Sequence, residues 1–445
     1  MTSPAGAPSM WLQECGDDLT PRPALPGDID ADIAIVGAGF TGLWTAYHLL
    51  RHDPTLRVVV LEREIAGWGA SGRNGGWCSA LFPAAWSRVT AEHGQDAADR
   101  LRLRLRQAVD DVGSFCVEHG VDARFAKGGT LSLVRSSAQL DRRYGDQEWL
   151  DAEAAQQRLA ATSLLGAEYT PHCAALDPAR LVRGLARVVE GLGATLYEQT
   201  RVIDIAPGQV LTEHGTVKAE LVVRATEGYT ADLPSAHRDL APLWSLIIAT
   251  EPLPDDVWTS IGWRERETVT DGRHLIIYAQ RTADGRIVFG GRGAPYLFGS
   301  ATTGSSGHDA TYGLLERTLH DLLPQTRDAR ITHKWGGVLG VPRDWMPAVA
   351  IDRSQGLAWG GGYVGDGVAL SGLAGWTLAD LLLGRDTDET RLPWVGHRWK
   401  RWEPEPLRWL GIQTMTAVMA SADKVEQRTG HTARRAKLLD RLVGG

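Results

Sequence analysis

Gly37, Gly39 and Gly42 stand at the spacing G-x-G-x-x-G in "GAGFTG", and Glu62 closes an apolar run twenty residues after the third of them. Those types at that spacing suit a phosphorylated dinucleotide. Gly37 permits a tight turn, Gly39 lets bare backbone approach a pyrophosphate, and Gly42 lets a helix pack close to a strand. Phe40 and Thr41 lie between them at the helix start, where unpaired amides face an anion. Glu62 can accept hydrogen bonds from a ribose, and Arg63 beside it belongs to the same candidate site.

A second glycine-rich stretch, "WGASGRNGGW", spans Trp68 to Trp77. Gly69, Ala70, Ser71, Arg73, Asn74, Gly75, Gly76 and Trp77 are its candidate ligand contacts. Such a turn can present successive backbone N–H groups to an anion and lie flat along an extended ligand; the alternative is a plain surface turn. A third stretch, "GGGYVGDGV", offers Gly362, Tyr363, Val364, Gly365, Gly367 and Val368 at the opening of a helix, with the positive end of its dipole directed at the ligand.

The elements that must hold these groups are legible around them. "ADIAIV" (31–36) reads as a buried parallel strand, "LWTAYHLL" as the helix after the turn, and "RVVVLE" as a second strand. Residues 98–119 carry Leu101, Leu105, Ala108, Val112 and Phe115 at helical spacing, which makes Cys116 a core residue. "LDPARLVRGLARVVEGLG" is an amphipathic helix with Asp177 as N-cap and Pro178 in its first turn. "AELVVRATEGYT" reads as a further parallel strand ending near Gly228. A strand ending at Trp359 leads into a helix from about Val368 to Leu383. "PLWSLIIATEPL", "HLIIYAQ" and "RIVFGGR" are strands of another sheet, and the run from about Ile412 to Leu442 is helical and serves packing or oligomer formation.

Composition excludes several classes. With 47 Lys+Arg against 54 Asp+Glu, net charge −7 and pI ≈ 6.0, neither nucleic acid nor an acidic membrane is the default partner. The window Ala31–Leu50 contains Asp32, His48 and glycines, so no membrane span is expected, and "MTSPAGAPSM" has no leader character. Four scattered cysteines, Cys15, Cys78, Cys116 and Cys173, fit a reducing cytoplasm. The histidines show no metal-ligand spacing and no G-x-S-x-G turn is present, so metal and serine-nucleophile chemistry are not expected.

Taken with "ALDPARLVRGLA", "GATLYEQTRV", "LVVRATEGYT" and "GGYVGDGVALSGLAGWTLADLL", these motifs make the chain resemble the FAD-dependent D-amino-acid oxidase and glycine oxidase superfamily, nearest its γ-glutamylputrescine oxidase and sarcosine oxidase-like branch. The resemblance implies an α/β and α+β fold: a discontinuous Rossmann-type FAD-binding domain (28–85, 170–235, 335–390), a mixed-sheet substrate domain (86–169, 236–334) and a C-terminal helical segment (391–445). It implies that the backbone at Val202 holds the adenine. In the sarcosine oxidase branch a late cysteine bonds the flavin; none follows Cys173 here, so non-covalent FAD is expected. Asp366 departs from the pattern, many relatives having His there, and it is not expected to point at the ring.

Flavin oxidation of an amine needs a neutral amine positioned against flavin N5 and shielded from water, with no dedicated triad. Aromatic or cationic residues at strand ends are the candidates to line the pocket: Trp77, Tyr278, Arg292 and Trp335 first, then Trp244 and Tyr296. Trp77 could equally be a packing tryptophan. Arg292 could clamp a carboxylate or bridge domains. Arg343 and Asp344 read as a mutual surface salt bridge or as polar liners. The activity implied is oxidation of a primary or secondary amine or amino acid with O2 as acceptor. The alternatives are a dehydrogenase using another acceptor and a non-catalytic flavin-binding subunit.

Overall fold

The computed structural model describes residues 9–143, 145, 147–291, 293, 296–303 and 308–433. Ile29–Val36 runs through the middle of an eight-stranded sheet, paired in parallel with Gly215–Arg224 on one side and Val58–Leu61 on the other. Thr195–Tyr197 extends the sheet beyond Val58–Leu61, and Leu357–Gly361 lies parallel to Gly215–Arg224 on the far side. The strands are short and rich in Val and Ile because both faces are covered. Helices Phe40–His52, Gln95–Glu118, Pro178–Gly191 and Gly367–Leu382 bury their apolar faces in one core on this sheet. A Cβ on Gly375 would collide with Trp44, so that glycine sets how closely two of these helices cross.

A second eight-stranded sheet has the order Ile331–Pro342, Leu240–Thr250, Ile287–Gly291, Ile277–Arg281, Thr268–Asp271, Thr130–Val134, Gly166–Thr170 and Glu148–Asp151. Alternation gives it two unlike faces. Leu131, Leu133, Leu246, Ile248, Val269, Ile277, Ala279 and Phe289 form a core with helices Asp255–Ile261 and His308–Leu322. The opposite face carries Thr130, Ser132, Thr170, Ser245, Thr270 and Tyr278, and looks toward the first sheet.

The seams differ from expectation in two places. Helix Gln95–Glu118 delivers Leu101, Leu105, Val109, Val112 and Phe115 to the core of the first sheet, so the chain leaves that core after 119 rather than at 86. Its stripe is complementary to the first sheet's helices, which sequence periodicity alone does not reveal. The segment "WGGVLGVP", which the resemblance assigns to the FAD-binding domain from 335, forms the end of strand Ile331–Pro342 and pairs with Leu240–Thr250 in the second sheet. Its glycines serve close packing: a Cβ on Gly340 would lie 2.8 Å from Leu240 Cδ1. The chain rejoins the first sheet at Ala348–Asp352.

The C-terminal helix spans Leu407–Thr429, and the expected stretch beyond 433 lies outside the described residues. No helix among the described residues is long and apolar enough to cross a membrane.

Candidate active site

Two cavities meet where the sheets face each other. The first, about 470 Å³, follows the carboxyl ends of the parallel strands, the place where open α/β sheets bind ligands. Gly37, Gly39, Phe40 and Thr41 of the first turn line it, followed by Glu62 and Arg63, Gly69, Ala70, Ser71 and Asn74, Val202, and then Tyr363, Gly365, Gly367 and Val368. The second, about 990 Å³, lies under the polar face of the second sheet and is lined by Arg73, Gly75, Trp77, Tyr278, Ser245 and Asp366 among others. Ala70, Asn74, Leu339 and Gly365 line both, so the two spaces adjoin there.

The first cavity fits a dinucleotide. Gly39 is the N-cap of helix Phe40–His52 and brings no capping side chain, so the first turn keeps its anion-attracting character. A Cβ on Gly39 would stand 2.9 Å from Ser71 Oγ, and one on Gly69 3.1 Å from the Tyr229 ring; only bare backbone leaves the cleft open. Ser71 Oγ accepts from the Phe40 N–H at 2.8 Å and so ties the second glycine turn to the first. Glu62 accepts from the Ala38 N–H (2.9 Å) and the Glu64 N–H (3.0 Å), leaving each oxygen a lone pair for a ribose hydroxyl. Burial pushes the Glu62 pKa up.

Glu227 is a further carboxylate of this cleft. It accepts from Gly362 N–H at 2.9 Å and Gly340 N–H at 3.3 Å, and burial pushes its pKa up to about 7. Arg63 lies 4.9 Å over the Tyr229 ring and pairs with Asp232. Arg73 is turned from the cleft, donating to Trp68 O (2.6 Å) and lying over the Trp68 ring; burial lowers its pKa.

In the second cavity the Trp77 and Tyr278 rings meet edge to face at 6.4 Å. The Trp77 indole donates to Ala279 O (3.2 Å), and the hydroxyls of Tyr278 and Ser245 share a hydrogen bond of 2.7 Å. A Cβ on Gly75 would stand 2.6 Å from the Tyr278 ring. Asp366, N-cap of helix Gly367–Leu382, makes no cap bond with its side chain and instead accepts from Ser79 Oγ at 3.4 Å on the cavity wall.

Other expected contacts lie elsewhere. Trp335 shares the face of its strand with Gly337 and Leu339, which line the second cavity, but is itself buried behind the second glycine turn against Trp11 and lines neither cavity. Trp244 packs on His308, and Tyr296 is bonded to Glu405 and Ser300. Gly42, Gly76, Gly228, Gly362 and Val364 line neither cavity. Gly42 sits against the Gly37 carbonyl, Gly76 against Gln280, Gly228 against Val338, and Gly362 against Pro342; Val364 is buried with φ +52°. Arg292 lies outside the described residues. Arg343 pairs with Glu403, while Asp344 pairs with Arg88 and His397, so the two do not bridge each other.

Residues that sequence reading missed are Glu227, Tyr229, Ser9, Trp11 and Gln280. Glu227 and Tyr229 follow the parallel strand Gly215–Arg224, and position at that strand's end was the available signal. Ser9 and Trp11 reach the site from a distant segment and carry no local mark. His274, Asp423 and Glu426, far apart in sequence, also converge. Asp423 accepts from the backbone N–H groups of His274 and Leu275, and Glu426 pairs with Arg142 and His274, which makes the group an ion cluster fastening the C-terminal helix.

Residues 32–381 match the family described as FAD dependent oxidoreductase. The chain is 30% identical over 403 residues to the probable oxidoreductase OrdL of Rhizobium meliloti (strain 1021), covering 87% of this chain and 91% of that one. It is 29% identical over 392 residues to the gamma-glutamylputrescine oxidoreductase of Escherichia coli (strain K12), covering 84% and 89%. Among solved structures, glycine oxidase from Geobacillus kaustophilus shares the fold with TM-score 0.68 at 24% identity, over 83% of this chain and 99% of that one.

Proposed function

Because the chain belongs to the FAD dependent oxidoreductase (DAO) family and uses FAD on an amine or amino acid, we propose that it is an oxidase of a primary or secondary amine or amino acid. The observation that carries this reading is that a second cavity adjoins the dinucleotide cleft, with Ala70, Asn74, Leu339 and Gly365 lining both. FAD held along the strand ends would supply a two-electron acceptor for the substrate's C–H bond, and with O2 as the terminal acceptor the products would be an imine and H2O2.

The chain's part is to bind, orient and exclude water. Gly37, Gly39 and the start of helix Phe40–His52 hold the pyrophosphate, Glu62 the ribose and Val202 the adenine. No cysteine lines either cavity, which supports non-covalent attachment. Trp77 and Tyr278 wall the second cavity with rings fixed by their own hydrogen bonds, leaving the substrate between aromatic faces and the hydroxyls of the second sheet. Buried free cysteines are consistent with a reducing cytoplasm.

The test is anaerobic addition of a panel of amines and amino acids to the yellow protein. Bleaching of the flavin absorbance by one of them, followed by rapid reoxidation in air, is the expected result. Bleaching with slow reoxidation would make the enzyme a dehydrogenase, and no bleaching by any amine would overturn the reading.

A further inference from the structure

We propose that Ser9, Trp11, Trp335 and Gln280, none of which lines the dinucleotide cleft, set the conformation of the second glycine turn and thereby the affinity and potential of the bound FAD. Four successive carbonyls of that turn each accept one side-chain donor. Ser9 Oγ donates to Gly72 O at 2.7 Å, Trp335 Nε1 to Arg73 O at 2.8 Å, Trp11 Nε1 to Asn74 O at 2.9 Å, and Gln280 Nε2 to Gly75 O at 2.7 Å. The donors come from the N-terminal helix Met10–Glu14 with its cap and from two strands of the second sheet. All four are buried, with exposures of 1%, 5%, 4% and 0% in the same order.

A trans peptide places its carbonyl and the next residue's N–H on opposite sides. With Asn74 O held outward by Trp11, the Gly75 N–H is left on the other side, and Gly75 lines the second cavity next to Asn74, which lines both. Among the described residues nothing accepts from the Gly75 N–H. Trp11 and Trp335 brace each other edge to face at 6.3 Å, so the two central donors form one rigid support. Leu12 closes against Gly72, where a Cβ would stand 3.4 Å from Leu12 Cδ1. The N-terminal helix is thus a positioning element of the cofactor site, although its residues are far from it in sequence.

The inference rests on the bound FAD and not on which amine is oxidised, so its readouts need no substrate. Trp11→Phe and Trp335→Phe each keep an aromatic ring while removing one N–H donor. In the holoenzyme each is expected to speed FAD release into dilute buffer about fivefold to tenfold, the scale of one buried hydrogen bond, and to shift the flavin potential measured by dye equilibration. Leu253→Val, in the core of the second sheet, serves as a control for general destabilisation and should change neither. FAD release and potential within about twofold of wild type in both variants would overturn the proposal, whatever their Tm. If one variant does not fold, the other tests the adjoining carbonyl by the same readouts.

Discussion

Glu227 illustrates how one side chain ties the cleft to pH. In the unfolded chain its pKa is 4.5, and in the fold burial raises it to about 7 against the opposing bonds from Gly362, Gly340 and Tyr363 N–H. Between those values the folded protein holds more proton than the unfolded chain. Its contribution to stability is therefore complete below pH 4.5 and is lost as pH rises through about 7, by ~3 kcal/mol. Glu227→Gln is expected to flatten the Tm-against-pH curve across that window, which a thermal scan would show. Tyr278 is the residue to alter for substrate handling: Tyr278→Phe keeps the ring over Gly75 and removes the hydroxyl shared with Ser245. The expected outcome is a roughly tenfold fall in kcat/KM with FAD content unchanged, read by steady-state kinetics and absorbance.

At the scale of elements, the approach of helix Phe40–His52 to the first turn depends on Gly42, whose added Cβ would collide with the Gly37 carbonyl. Gly42→Ala is expected to lose FAD and ~3 kcal/mol of stability, checked by absorbance and urea unfolding. The C-terminal helix is held by the cluster of Glu426, Arg142 and His274. Burial would raise the Glu426 pKa, but bonds from Arg142, Ala433 N–H and His274 hold it down at about 2, so the carboxylate stays charged across the neutral range. Arg142→Gln leaves that carboxylate without its guanidinium. Faster deuterium uptake over 407–429 is the expected result, with a loss of ~2 kcal/mol. A helix from about Ile412 to Leu442 was expected, and Leu407–Thr429 is helical; its fastening was not expected, because Arg142 and Glu426 meet only through the fold.

Across the whole molecule, the dinucleotide cleft is lined by segments that belong to both sheets, with the N-terminal helix behind its second glycine turn, while Cys15, Cys78, Cys116 and Cys173 are buried and line neither cavity. Acid precipitation is therefore expected to release all yellow colour into the supernatant; colour retained in the pellet would show a covalent bond. The amino-acid sequence by itself determined the glycine turns, the strand before and helix after Gly37–Gly42, and the acid at Glu62, because each of these is a local match of backbone freedom, periodicity and short-range spacing. Only the tertiary structure decided that helix Gln95–Glu118 belongs to the first core, that Trp335 supports the flavin loop instead of lining the pocket, and that Trp11 reaches Asn74. Those outcomes depend on which face of a helix or strand meets which neighbour, a contact between segments as distant as residues 11 and 74 or 73 and 335 that no local pattern encodes.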